Sequence, residues 1–184
     1  MERNNLSIIR QQFAQCVFNH TIHEKASDRW DSMQNKIKWG NLVLLAFVVV
    51  FLVLQIKFPD NFLFGSISIS ITIFEILFLY FQKEFSVGDK AKEHKKIALQ
   101  YMALRDKYKN FIVDVINNLD ESKIILKRDL LQEQYQIIGS LSLQTLNEDF
   151  KEAQLKLLGK TNTDEEYTWS DKEINRFLPK ELHI

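Results

Sequence analysis

The chain has 184 residues, equal numbers of basic and acidic side chains, 26% charged residues and one cysteine. The balanced charge argues against a nucleic-acid binder built on a basic surface, and a lone Cys16 excludes an internal disulfide. The mean hydropathy of −0.19 is that of a soluble protein only on average, because charge and apolar length are segregated along the chain.

Residues 1–38 hold much of the charge. Ile9, Phe13 and Cys16 or Val17, then Ala26, Trp30, Met33 and Ile37, recur at spacings of three and four. This predicts one or two amphipathic helices that either lie on a membrane surface or pack on helices further along. No apolar core with a small-residue cleavage site marks a secretory leader. His20 and His23 share a helix side, as metal ligands would, but no further Cys or His cluster supports them. The expectation is ordinary polar surface and no metal.

Residues 39–82 organise everything else. Residues 39–56 carry no charge, and residues 61–82 carry one, Glu75, with Lys57-Phe58-Pro59-Asp60 between them. As helices they span about 27 and 33 Å, against a hydrocarbon core of about 30 Å. The pattern predicts a transmembrane helical hairpin. The first span is rich in Leu, Val and Phe and can face lipid on every side. The second carries Gly65, Ser68, Thr72, Glu75, Leu79 and Gln82 at alternating spacings of three and four, a stripe suited to a helix seam. Three readings of Glu75 stay open: a pore-lining carboxylate repeated in each subunit, a protonated bond between helices of an oligomer, or a bland position near the headgroups. Ser66 to Ile73 alternates like a strand, but an isolated strand cannot satisfy its backbone in lipid.

Orientation follows from the cations. Lys25, Arg29, Lys36 and Lys38 precede the first span, and Lys83, Lys90, Lys92, Lys95 and Lys96 follow the second. The connection holds only Lys57, opposed by Asp60. The positive-inside rule places both termini in the cytoplasm, with Trp39 and Tyr80-Phe81 in the interfacial belt. The expectation is a membrane crossed twice, with the connection outside.

Residues 83–184 read as a cytoplasmic helical domain. Gly88-Asp89 suggests a helix start or hinge. Ile97, Tyr101, Leu104, Tyr108, Phe111 and Val115 form an a/d seam on a helix running to about Asn118. A break at Asn117 to Asp120 leads to a helix over 122–138, ended by Gly139-Ser140. A third helix over 145–158 has an apolar face of Leu146, Phe150, Ala153 and Leu157, with Gly159 as its C′ residue. Residues 160–168 are loop-like. Ser170 to Glu173 has the capping-box pattern ahead of a short helix with Ile174, Phe177 and Leu178 on one side, stopped by Pro179. The fold class is all-α.

Catalytic signatures are missing: there is no phosphate loop, dinucleotide fingerprint, nucleophile elbow or H-E-x-x-H. Nothing near Cys16 suggests an activated thiol. The mixed run from Lys90 to Lys96 reads as a solvated face drawn to anionic lipid, not a nucleic-acid site. The chain reads as neither an enzyme nor a cofactor protein.

Three segments carry a family resemblance: Ala98 to Tyr108 with Tyr101 and Arg105, Gln144-Thr145 with Phe150, Ala153 and Gln154, and Tyr167 to Pro179. Together with the two spans, from about residue 20 onward, they resemble the SLATT family, two-transmembrane effector domains found beside nucleotide-signalling enzymes in bacterial conflict systems. The likeness is nearest to its fifth subgroup. The chain departs from the pattern at Ser142 to Thr145, where a proline is expected shortly before the threonine, which leaves that helix start open. The resemblance implies a membrane effector that oligomerises, opens pores and stops the infected cell, and a partner that makes a nucleotide messenger or is a reverse transcriptase. Glu75 and its stripe would supply a lumen, the a/d seam assembly, and Tyr101 and Arg105 packing and an inter-helix ion pair. A non-conducting membrane scaffold for a cytoplasmic partner, and a small regulated ion channel, are the alternatives.

Overall fold

The computed structural model describes residues 2–117, 120–159 and 169–184, without the side chains of residues 2–4 and 81. All regular structure among them is helical: α1 (Glu2–Lys57), α2 (Leu63–Phe85), α3 (Val87–Ile116), α4 (Glu121–Leu141), α5 (Asn147–Leu158), α6 (Asp171–Asn175) and a closing 3-10 turn (Lys180–Leu182). They form two compact units, one of Asp28–Ala91 and one of Met1–Ser27 with Lys92–Ile184. The all-α expectation holds.

The first unit is the hairpin. Its α1 stretch contains no proline, and the helix stops where Phe58 precedes Pro59, a position that disfavours helical backbone. The chain turns back through a Phe58–Asn61 backbone bond of 3.1 Å, and the Asn61 side chain accepts from the Leu63 N–H to open α2. The break after α2 falls at Ser86, which takes a left-handed φ of 46° and donates its N–H to the Lys83 carbonyl. Gly88-Asp89, expected as a helix start or hinge, lies in the first turn of α3, one residue after its start at Val87. A Cβ at Gly88 would run into the Gln34 amide nitrogen, which a turn of that flexible side chain relieves.

The second unit is a bundle. The first part of α1 is not a surface element: Ile9, Phe13, Ala14, Cys16 and Val17 are buried with Ile97, Tyr101, Leu104, Tyr108, Phe111, Ile112 and Val115 of α3 and Ile124 and Leu131 of α4. The amphipathic N-terminal stretch therefore shares a core with the C-terminal helices. α4 runs past Gly139-Ser140 to Leu141. The Ser140 and Ser142 hydroxyls bond back to the Ile137 and Ile138 carbonyls, and neither residue needs a left-handed backbone that would end the helix.

α5 begins at Asn147, where Asp149 accepts from the Leu146 N–H at 2.9 Å. Its inner face is Asp149, Ala153 and Gln154, while Leu146 is exposed. Gly159 closes it at φ 70°, as expected. At α6 the Ser170 capping box forms in both directions with Glu173. The expected loop at 160–168, motif residues Tyr167 and Thr168, the Phe81 side chain, and Asn118 and Leu119 lie outside the described residues.

The C-terminal segment is tied to α1 by Arg10. This fully buried guanidinium donates to the Leu182 carbonyl at 2.9 Å and to Asn175 Oδ1 at 2.6 Å, and it reaches Asp171 at 3.4 Å. The Gln11 side chain exchanges two bonds with the Trp169 backbone. Trp169 and Phe150 both meet the edge of Phe18.

Candidate functional site in the hairpin

In α1 the least exposed positions of the apolar stretch are Asn41, Leu44, Val48, Phe51, Leu54 and Gln55, which recur at spacings of three and four apart from the neighbouring pair Leu54–Gln55. This face packs on α2, so the first span does not present lipid-facing surface all round. Its outer face does: Leu42, Val43, Leu45, Phe47, Val49, Val50, Leu52 and Val53 are each about half exposed. The heptad rhythm that marked the second span runs here too, with Asn41 and Gln55 as the polar members.

The polar stripe of α2 turns toward this face. Gly65 donates its N–H to Gln55 Oε1 at 2.6 Å, and a Cβ at Gly65 would stand 3.0 Å from that oxygen. Ser68 is buried, with its hydroxyl 3.4 Å from the Val48 carbonyl. The Thr72 hydroxyl bonds back to the Ser68 carbonyl at 2.9 Å, and Asn41 donates to Gln82 at 3.3 Å. Polar bonds thus tie both ends of the hairpin within one chain, while Leu79 of the expected stripe is exposed. Glu75 differs from the rest. It is half-buried, and among the described residues it has neither a hydrogen bond nor an ion pair.

An apolar groove of about 590 Å³ opens between the two helices, lined by Met33, Lys36, Ile37, Gly40, Leu44 and Phe74 together with Trp39, Val43 and Phe78. Further toward the start of this unit, Trp30 carries Arg29 and Lys90 over its ring at 4.9 and 4.8 Å.

The bundle holds a polar cluster that sequence spacing did not reveal. His20 is part-buried and its Nδ1–H donates to the Ala98 carbonyl at 2.9 Å. His23 is buried, with Nδ1 3.0 Å from His94 Nδ1 and its ring stacked on Tyr101. Neither histidine is the polar surface expected, because α3 and α5 cover this side of α1. A bond between two Nδ1 atoms requires one ring to accept, so it exists only while one ring is unprotonated there. Burial and the neighbouring His94 push His23 down to about 4, opposed by Asp149. Burial pushes the Cys16 thiol up to about 12 and raises Tyr101. The described residues contain no group of three metal-ligating side chains.

The a/d seam from Ile97 to Phe111 is buried in its own bundle. Arg105 pairs with Asp106, its neighbour on the same helix, at 2.9 Å, in place of the expected inter-helix ion pair. What α4 leaves uncovered is a stripe of Leu126, Leu130, Ile137 and Leu141, each more than half exposed or close to it.

The family model described as SMODS and SLOG-associating 2TM effector domain family 4 matches residues 6–173. The match is to family 4, where the motifs suggested the fifth subgroup. No curated protein and no solved structure matches the chain.

Proposed function

Because the chain belongs to the family of SMODS and SLOG-associating 2TM effector domains, we propose that it is a defence effector that crosses the inner membrane twice and, once triggered, conducts ions as a homo-oligomer. Both termini lie in the cytoplasm, on the side marked by the lysines that flank the spans. The bundle receives the signal of a partner, a nucleotide-messenger synthase or a reverse-transcriptase system. The chain itself catalyses no reaction and holds no cofactor.

The observation that carries this reading is Glu75. Gly65, Ser68 and Gln82 find partners inside the hairpin, whereas Glu75 is left in an apolar span without one. A carboxyl there costs on the order of a few kcal/mol unless it meets water or a group from another copy. A ring of such carboxyls around water favours cations. Opening then requires the hairpin seam to loosen, since Ser68 and Gly65 reach a lumen only by leaving α1. Assembly cannot use the Ile97–Phe111 seam without unpacking the bundle. The exposed α4 stripe of Leu126, Leu130, Ile137 and Leu141, spaced four, seven and four, is the surface that supports association between copies.

A second reading draws on the same hairpin. Its stripe is satisfied within one chain, which is what a non-conducting scaffold for a cytoplasmic partner requires. Membrane potential followed by a voltage-sensitive dye, with the partner system triggered, separates the two. Depolarisation that Glu75→Gln weakens supports the pore. An unchanged potential with the native chain rules it out and leaves the scaffold.

A further inference from the structure

The groove between α1 and α2 has the dimensions and chemistry of a lipid site. Its lining runs from Met33 to Leu44 along α1, about 16 Å of helix, of which the half before Trp39 lies at the level of the headgroups and the half after it enters the span. Its volume of about 590 Å³ lies within the range of small-molecule pockets. Phe74 and Phe78, stacked at 6.3 Å, make one wall, and Gly40 makes the floor, where a Cβ would meet nothing within 4 Å.

Charge is confined to one end. Lys36 is the only ionised side chain in the lining, one turn before Gly40, and the Arg29–Trp30–Lys90 stack lies a further turn and a half away on the same unit. The cationic end lies beside the interfacial Trp39, and the apolar end reaches Leu44 and Phe74, inside the cytoplasmic half of the hairpin. Basic pockets at the cytoplasmic ends of transmembrane helices suit anionic headgroups, and a lysine stem can lie along apolar wall while its ammonium stays at the surface.

We propose that this groove binds an anionic phospholipid of the cytoplasmic leaflet, one acyl chain lying over Gly40 against Phe74 and Phe78 and the phosphate held by Lys36. The site rests on the membrane reading above and deepens it. A lipid wedged between α1 and the Phe74–Phe78 wall of α2 would hold the two helices in the arrangement seen here, so lipid charge becomes an input to the effector.

The test is lipid retention by the full chain, reconstituted in bilayers of equal phosphatidylglycerol and phosphatidylcholine and released into native mass spectrometry. The native chain should retain phosphatidylglycerol about fivefold over phosphatidylcholine, the preference that roughly 1 kcal/mol from one interfacial lysine gives. Lys36→Glu should abolish the preference while keeping a bound lipid. Gly40→Leu places a side chain in the groove, its Cβ clear of any atom within 4 Å, and should remove retained lipid of both kinds. Equal retention of both lipids by the native chain, or retention untouched by Gly40→Leu, overturns the proposal. A change of oligomeric state in Gly40→Leu with lipid unchanged also overturns it and assigns the groove to a second copy. Extraction of the native chain by alkaline wash of membranes would instead defeat the membrane reading on which the site depends.

Discussion

The hairpin and the bundle are made from similar residues turned opposite ways. In the bundle, Phe13, Tyr108, Phe111 and Ile112 are fully buried, and polar groups at the surface meet water. In the hairpin, Val49, Val53, Ile69 and Ile73 face outward, and the groups turned inward include Ser68, Gln55 and Asn41. Burial in water removes apolar surface from solvent and is worth about 25 cal/mol per Å². In lipid that drive between helices vanishes, and close packing with hydrogen bonds takes its place. Each unit is thus coherent only in its own solvent.

The comparison breaks hardest in the bundle core. Phe111→Ala should cost about 3–5 kcal/mol of bundle stability in denaturant titrations, whereas Val53→Ala on the outer hairpin face should leave that titration unchanged.

Acid should strike the bundle next. His23 in the folded chain holds its proton only near pH 4, against about 6.5 unfolded, so between those values the unfolded chain binds more protons. Stability is therefore full above about pH 6.5 and falls as the pH drops toward 4, by up to about 3 kcal/mol. His23→Phe should flatten that slope in pH-dependent unfolding, and an unchanged slope would place the acid sensitivity elsewhere.

Arg10→Met should destabilise by about 2–3 kcal/mol, since it removes charge-assisted bonds to Leu182 and Asn175. Limited proteolysis should then cut the C-terminal segment first. The smallest effect belongs to the hairpin seam. Gly65→Leu should cost about 1–2 kcal/mol of helix pairing. That loss should appear as a lower disulfide yield between cysteines placed at Val48 and Ser68.

Those features differ in how far the chain announces them. The heptad rhythms of the second span and of α3 are local patterns, and so are the Ser170–Glu173 box and Gly159; each was readable from neighbours within a few residues, whereas the first span, expected to face lipid on every side, hid its Asn41–Gln55 face among Leu, Val and Phe. The partner that each rhythm serves was not readable. The α3 seam looked available for assembly until the first part of α1 filled it. His23 and His94 are 71 residues apart, and Arg10 is more than 160 from its acceptors. Such meetings depend on how helices pack, which spacing within one helix cannot encode. The end of α4 was missed because Gly139 in a helix resembles a stop, and the extra turn is held by serine hydroxyls instead.

Cysteine accessibility tests the central claim, two crossings with the bundle inside, most directly. Cys16 is fully buried, with its thiol pushed up to about 12, so the native chain gives a quiet background. With a membrane-impermeant maleimide on intact spheroplasts, Asp60→Cys in the connection should label at once, and Glu148→Cys at the start of α5 should label only after lysis. Labelling of Glu148→Cys in intact cells, or protection of Asp60→Cys until lysis, would contradict the account.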